Sequence, residues 1–415
     1  MGGLAKLNKS LSKKLDNKTE HCKFFETRGE STVNIPLGNY LLNAQVSGSL
    51  FGGLPDAKSI MLAGASGTGK SFLCLNMVKG MADLGYHIYY VDTEGALDNK
   101  TFENFGLTAS QEEDENVNVT YIRDIKTYSK LKFFINTLTS TIKELKAEEG
   151  FNEKVALVVD SVGMLNTDSE VENAEKGRDP EDMGKRAKAI RALFRTITLD
   201  LSNLCIPFVY TNHTSANLDM FAIEKEVTAG GGGAVYSPSY ILMLAVRNFI
   251  KDEQTKEKKG VIIRSRPKKN RTAVPHEIEF NLSWTHGMNP YVGLQEYLTW
   301  DICHVAFGNL YTKEEFEKKF KKGTDGLRTE SWKDKKGEWV AVLNPNMRSK
   351  KWVVKSSDEE VPFAETFTSK VFTNEVLHEM DENVIKPLFE YSNGLETADE
   401  IMDMLDGATE EVATE

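Results

Sequence analysis

Eight consecutive residues carry the clearest chemistry in this chain: Gly64-Ala65-Ser66-Gly67-Thr68-Gly69-Lys70-Ser71. Glycines at this spacing let successive backbone N–H groups turn toward one point, and a helix beginning at Lys70 adds the partial positive charge of its N-terminus. Such a geometry grips phosphate oxygens. Gly64, Ser66, Gly67, Thr68 and Gly69 would form the cradle, Lys70 would reach the β and γ phosphates of a nucleoside triphosphate, and the Ser71 hydroxyl would ligate Mg²⁺. The octet fits GxxxxGK[ST] in full, and it stands between a strand-like Ile60-Met61-Leu62 and an amphipathic stretch, the context this motif requires.

Two carboxylates complete a hydrolytic set. Val155 to Val159 is an apolar run ending in Asp160, the expected second magnesium ligand, and Tyr89-Tyr90-Val91 runs into Asp92-Thr93-Glu94. In doubly wound sheets ligands gather beyond the carboxyl ends of the strands, so both acids belong on one rim, with Glu94 placed to polarise water.

The elements that must position these groups alternate. Ser59 to Leu62, His87 to Val91, Val155 to Val159, Phe208 to Thr211 and Tyr240 to Val246 read as buried strands. Ser71 to Leu84, Ser129 to Glu149 and Asp182 to Asn203 carry apolar residues at i, i+3 and i+4 and read as helices. The pattern predicts an α/β fold with a mainly parallel twisted sheet and helices on both faces. After Pro275 the pattern shifts to shorter mixed segments, so a smaller α+β domain is expected over 289–393. A basic arm is expected over 1–45, ahead of the core, 46–288, and an acidic tail over 394–415.

The 415 residues include four scattered cysteines, which argues against a disulfide framework and a zinc site and fits a reducing cytoplasm. The apolar runs fall short of the roughly 18 residues that span a bilayer, and no membrane partner is expected. The net charge of −11 is unevenly spread. Glu396 to Glu415 holds eight acidic residues and no cation, whereas Lys251 to Arg271 holds nine cations against three acids. The tail reads either as a solubilising end or as an intramolecular competitor for a polyanion site.

Gly52-Gly53-Leu54-Pro55, Asp92-Thr93-Glu94-Gly95-Ala96-Leu97-Asp98, Asp160-Ser161-Val162, Met183-Gly184, Phe194-Arg195, Thr211-Asn212-His213-Thr214 and Lys269-Asn270-Arg271 occur in this order. Together they resemble the RecA-type recombinases, nearest to the phage recombinases of the UvsX type, over roughly residues 24–293. The resemblance implies a RecA-like ATPase core using ATP and Mg²⁺. It implies that Glu94 orients the attacking water, that His213 senses the γ-phosphate, and that Asp98 contacts adenine. Direct counting puts the base-stacking position at Thr101, and a one-residue shift puts it at Phe102. Lys269 and Arg271 would reach across a subunit interface to the neighbour's ATP, and the Phe24-Phe25 segment would dock either on an adjacent core or within its own chain.

Two segments are expected to be DNA loops. Glu172 to Glu181 reads as a polar excursion leading to Met183, Gly184, Lys185 and Arg186, on a helix that continues through Arg191 and Arg195. Ser215 to Gly233 carries Met220 and Phe221 and ends in Gly230, Gly231, Gly232 and Gly233. Glycine amides and cations can hold phosphates while an apolar side chain wedges between bases. The implied function is an ATP-dependent filament on single-stranded DNA that searches a homologous duplex and exchanges strands, aided by mediator and single-strand-binding proteins. A ring helicase and a non-catalytic filament-loading paralogue are the alternatives.

Overall fold

A computed structural model describes residues 33–110, 117–148, 152–178, 183–216, 226–228, 232–252, 255–297, three short β-ribbons within 322–360, and 372–391. The chain divides into two units. The first comprises Met1–Asn39, Gly52–Lys269 and Glu279–Asn289, and the second Tyr40–Phe51, Asn270–Ile278 and Pro290–Glu415.

The first unit is built on one eleven-stranded sheet. In chain order its elements are β1 (Ser59–Gly64), α1 (Lys70–Asp83), β2 (Tyr86–Asp92), α2 (Asn99–Asn104), β3 (Ala109–Ser110), β4 (Val119–Ile122), α3 (Tyr128–Glu148), β5 (Lys154–Asp160), α4 (Asp168–Glu175), α5 (Met183–Asn203), β6 (Phe208–Ala216), β7 (Glu226–Thr228), α6 (Gly232–Tyr236), β8 (Tyr240–Lys251), β9 (Lys258–Lys269), β10 (Ile278–Ser283) and β11 (Gly287–Met288). The sheet order is β11-β10-β9-β8-β1-β6-β5-β2-β4-β3, with β7 paired to β6. From β8 to β3 every neighbour is parallel, and β8 and β9 form a long antiparallel hairpin.

The continuous apolar runs of β1 and β5 arise from this architecture. Strands covered on both faces have no polar side to show, so Ile60 to Gly64 and Val155 to Asp160 are all buried. The amphipathic α3 and α5 cover one face through Leu131, Ile135, Ile190, Phe194 and Ile197. Their period of 3.6 leaves Arg191 and Arg195 on the outward side of α5. Among the described residues no helix is long and apolar enough to cross a membrane.

The second unit is assembled from segments far apart in sequence. The helix Tyr40–Ser47 offers its carbonyl oxygens to the 270s: Asn270 Nδ2 donates to Gln45 O at 2.6 Å and Thr272 Oγ1 to Val46 O at 2.7 Å. From the C-terminal side, Val274 N donates to Phe389 O at 2.7 Å. Asp381, buried at the start of a single π-turn, accepts Leu50 N and Ser49 Oγ, both at 2.6 Å. A buried carboxylate persists only when its oxygens are satisfied in this way.

Candidate nucleotide site

Parallel pairing in register brings the chemistry together. On β1 and β6, Gly64 sits opposite His213, and on β2 and β5, Asp92 sits opposite Asp160, so all four groups emerge at the carboxyl rim of the sheet. The phosphate loop follows directly. Gly69 caps α1 with φ +82°, a left-handed conformation that favours glycine. At Gly64 an added Cβ would lie 2.4 Å from Leu244 O and 2.6 Å from Thr68 Oγ1, so only glycine fits where the loop passes its neighbours.

Lys70 is 6% exposed and folds back on the loop, donating to Gly64 O at 3.0 Å and Ala65 O at 2.9 Å. Burial pulls its ammonium below the usual lysine range, opposed by the nearby carboxylates of Asp160 and Glu94. A buried cation facing bare carbonyls in a cradle of glycine amides is chemistry suited to a polyphosphate, which would exchange the carbonyls for charged oxygens.

Asp160 is the other half. It accepts from Thr211 Oγ1, from Tyr90 OH at 3.1 Å and from the Ser71 hydroxyl, which places the two expected magnesium ligands side by side. Ser71 with Asp160 suits a hard, oxygen-seeking cation that completes its shell with phosphate and water. Among the described residues no cluster of three His, Cys, Asp or Glu side chains makes a protein-only metal cage.

Burial lifts the Asp160 carboxyl above the usual range, partly offset by the Thr211 and Ser71 hydrogen bonds. Because the folded state holds that proton more tightly than the unfolded chain, the stability it contributes is present at low pH and lost as pH rises through the raised folded value. The melting temperature of Asp160→Asn relative to wild type, without nucleotide, is therefore expected to move in the variant's favour between pH 4 and pH 8 in thermal melts. A flat difference would show that this carboxyl is not strained.

Glu94 lies across the site, its Oε1 2.7 Å from His213 Nε2, with both side chains about 30% exposed. Thr93 fastens this rim to β5: its Oγ1 accepts Ser161 N at 2.8 Å and donates to Ser161 O at 2.7 Å, while Thr93 N donates to Asp160 O at 2.9 Å. Asp98 caps α2, accepting Thr101 N at 2.8 Å and Thr101 Oγ1 at 2.6 Å, bonds that hold its carboxyl below the usual range.

Several expected contacts are placed differently. Phe102 is completely buried, edge-on to Tyr90 and Tyr121, so it belongs to the core beneath α2 and offers no face to a base. The i, i+3 arithmetic of a short helix after a buried strand turns this position inward. Arg186 points toward Glu170 and Asn166, within 3.5 Å of both, and so engages α4. Residues 172–175, expected in an excursion, are helical, because Thr167 and Glu170 form a reciprocal capping box that starts α4. Ser215 and Ala216 extend β6 and pair with β7, giving the second expected loop a ribbon stem. Gly232 and Gly233 open α6 and Met183 opens α5, where Gly184 and Lys185 are exposed. Met220, Phe221, Gly230 and Gly231 lie outside the described residues, as do Phe24 and Phe25.

Lys269 is on β9, level with Ile241 and hence with Met61, three residues before Gly64 along β1. Strand rise and spacing put it about 14 Å from its own phosphate loop, toward the opposite edge of the sheet. Its Nζ donates to Tyr236 O at 2.8 Å. Arg271 is exposed in the second unit.

Sequence reading missed Asp92, Tyr121 and Arg123. Asp92 is buried and accepts the backbone N–H of Glu94, Gly95 and Leu97. A carboxylate directly before a rim loop was the available signal for it. The β4 residues gave none, because four residues of mixed polarity are too short to read as a strand. A separate open apolar groove of about 580 Å³, lined by Ile122, Ile125, Phe133 and Phe134, takes no part in this site, since Ile122 alternates with Tyr121 and faces the other side of the sheet.

Comparison with known proteins agrees with this geometry. Residues 19–179 match the family described as "ATPase: KaiC". The chain is 28% identical over 293 residues to the recombination and repair protein of Enterobacteria phage T4, covering 70% of this chain and 68% of that one. It is 24% identical over 239 residues to RecA of Paracoccus denitrificans, covering 57% and 61%, and 23% identical over 261 residues to RecA of Anaplasma marginale, covering 63% and 66%. The match thus spans about three fifths to two thirds of the length of these relatives. With its phosphate loop, paired acids and mainly parallel sheet, the chain is similar in site and sequence to RecA-like ATPases, recombinases among them.

Proposed function

We propose that this protein is a DNA-dependent ATPase that assembles on single-stranded DNA, pairs it with a homologous duplex and exchanges strands. The observation that carries the reading is an incomplete site. Lys70, Ser71, Asp160, Glu94 and His213 converge at one rim, whereas Lys269 lies about 14 Å from the phosphate loop by strand rise and spacing and donates to Tyr236 O. Phosphoryl transfer needs positive charge beyond one lysine and a metal ion as the γ-phosphate departs. Lys269 and Arg271, at the far edge and exposed respectively, suit a head-to-tail assembly in which each chain completes its neighbour's site; such heterologous contacts make rings or helical filaments.

Mg²⁺ would be held by Ser71 and Asp160 and would neutralise charge between the β and γ phosphates. Glu94 would orient the attacking water. His213, hydrogen-bonded to Glu94 at the head of the β6–β7 ribbon, would report the γ-phosphate to the second DNA loop. The outward cations Lys185, Arg191 and Arg195 would face the phosphate backbone. Mediator and single-strand-binding proteins would assist loading.

Joint-molecule formation between a single strand and a duplex tests this, with ATP and Mg²⁺, homologous and heterologous duplexes compared, and Lys70→Ala as control. Product confined to the homologous duplex and lost in the variant is expected. DNA-stimulated hydrolysis without joint molecules would instead favour a translocating motor or a filament-loading protein, and unwinding of a forked duplex would separate those two.

A further inference from the structure

The loop from Thr93 to Asp98 carries Glu94, and Gly95 within it has a left-handed φ of +66° and open space where a side chain would be. Its conformation is set from below. Asp92 Oδ1 accepts Glu94 N at 2.9 Å and Gly95 N at 2.8 Å, and Oδ2 accepts Leu97 N at 3.2 Å. One carboxylate therefore gathers three backbone amides of the loop.

That carboxylate is itself held from the neighbouring strand. Tyr121, 3% exposed, lies with its hydroxyl 2.5 Å from Asp92 Oδ2 and 2.9 Å from Leu97 O. Arg123 donates from Nε to Tyr121 OH at 3.0 Å and from a terminal nitrogen to Leu97 O at 2.7 Å, with its guanidinium 5.2 Å from the Tyr121 ring centre. Burial pushes the Tyr121 phenol up to about 12, so it stays a donor throughout the working pH range. A buried carboxylate, a phenol and a guanidinium that share partners form a connected polar network, which fixes geometry more firmly than the same bonds made separately. The ring of Tyr121 is packed against Phe102 and Tyr90, so the network has a rigid base.

We propose that Tyr121 and Arg123 are positioning residues for ATP hydrolysis, acting through Asp92 and Leu97 to keep the Glu94 carboxylate aimed across the site. The inference rests on the reading of Glu94 as the group that orients water. Neither residue is assigned a contact with nucleotide.

Steady-state DNA-stimulated ATPase assays on Glu94→Gln, Tyr121→Phe, Arg123→Ala and the double variant Glu94→Gln/Tyr121→Phe test it, with melting temperatures measured alongside. Tyr121→Phe keeps the packed ring, so the fold is retained. Misplacement of a catalytic group by about 1 Å can lower a rate by about 10²-fold, so kcat is expected to fall about 10- to 100-fold in Tyr121→Phe and less in Arg123→Ala, with KM for ATP within about twofold of wild type. The double variant is expected to be no slower than Glu94→Gln alone, because a residue acting through Glu94 has nothing left to position. If Glu94→Gln hydrolyses ATP normally, the reading of Glu94 fails and this inference with it. If Glu94→Gln is inactive while Tyr121→Phe and Arg123→Ala keep wild-type kcat, or if the Tyr121→Phe loss multiplies on top of Glu94→Gln, the positioning role is overturned and the reading of Glu94 stands.

Discussion

Glu94→Gln is expected to lower kcat for ATP hydrolysis by about 10²- to 10⁴-fold while leaving nucleotide affinity nearly intact, the loss typical when a positioned general base is removed. The groups proposed to grip nucleotide are elsewhere: the glycine amides and Lys70 sit on the loop between β1 and α1, and Asp160 with Ser71 sits beside them. Glutamine keeps the size and one hydrogen-bond acceptor but has no charge to draw a proton from water. It can still meet His213 Nε2, now 2.7 Å from Glu94 Oε1, so the rim should stay ordered. Single-turnover hydrolysis and titration with a fluorescent nucleotide separate the two effects. Hydrolysis within threefold of wild type would assign the water to another group. Lys70→Ala should differ by losing affinity as well.

Mixing Lys70→Ala with Arg271→Ala is expected to restore activity that neither variant has alone. Cations supplied across an interface to departing phosphate contribute about 10³–10⁵ in rate, so Arg271→Ala should be nearly silent. In a head-to-tail assembly each site uses the phosphate loop of one chain and the cations of the next. An equal mixture places an intact loop opposite an intact arginine at about one interface in four, so about a quarter of wild-type activity should return in a heterologous assembly. The sheet geometry motivates this: Lys269 is level with Met61 and about 14 Å from its own loop by strand rise and spacing. No recovery on mixing, with assembly intact, would mean that the cations act within their own chain or not at all.

Much of this was legible before any coordinates. The octet from Gly64 to Ser71 is local chemistry, since closely spaced glycines, a lysine and a hydroxyl need only a strand before and a helix after, and the structure supplies both as β1 and α1. Asp160 was readable because a strand covered on both faces must be apolar throughout, so a carboxylate at its end stands out. The period of α5 likewise put Arg191 and Arg195 outward without reference to any partner.

What stayed hidden depends on residues that meet only across the sheet. Phe102 sits one residue past the position where direct counting puts a base-stacking ring, yet burial against Tyr90 and Tyr121 decides its role, and those rings come from β2 and β4. The clasp of Thr93 on Ser161 joins positions 68 residues apart, and the tie of Tyr121 to Asp92 joins positions 29 apart. The sequence by itself determined the glycine loop between β1 and α1, the two acids at the strand ends and the alternating pattern that forces a parallel sheet, because each rests on neighbours along the chain or on a period. Only the tertiary structure decided which side chains meet at the Asp92 carboxylate beneath the Glu94 loop and that Lys269 lies about 14 Å from the phosphate loop by strand rise and spacing, because strand order and register, unlike strand pattern, are settled by packing between distant segments.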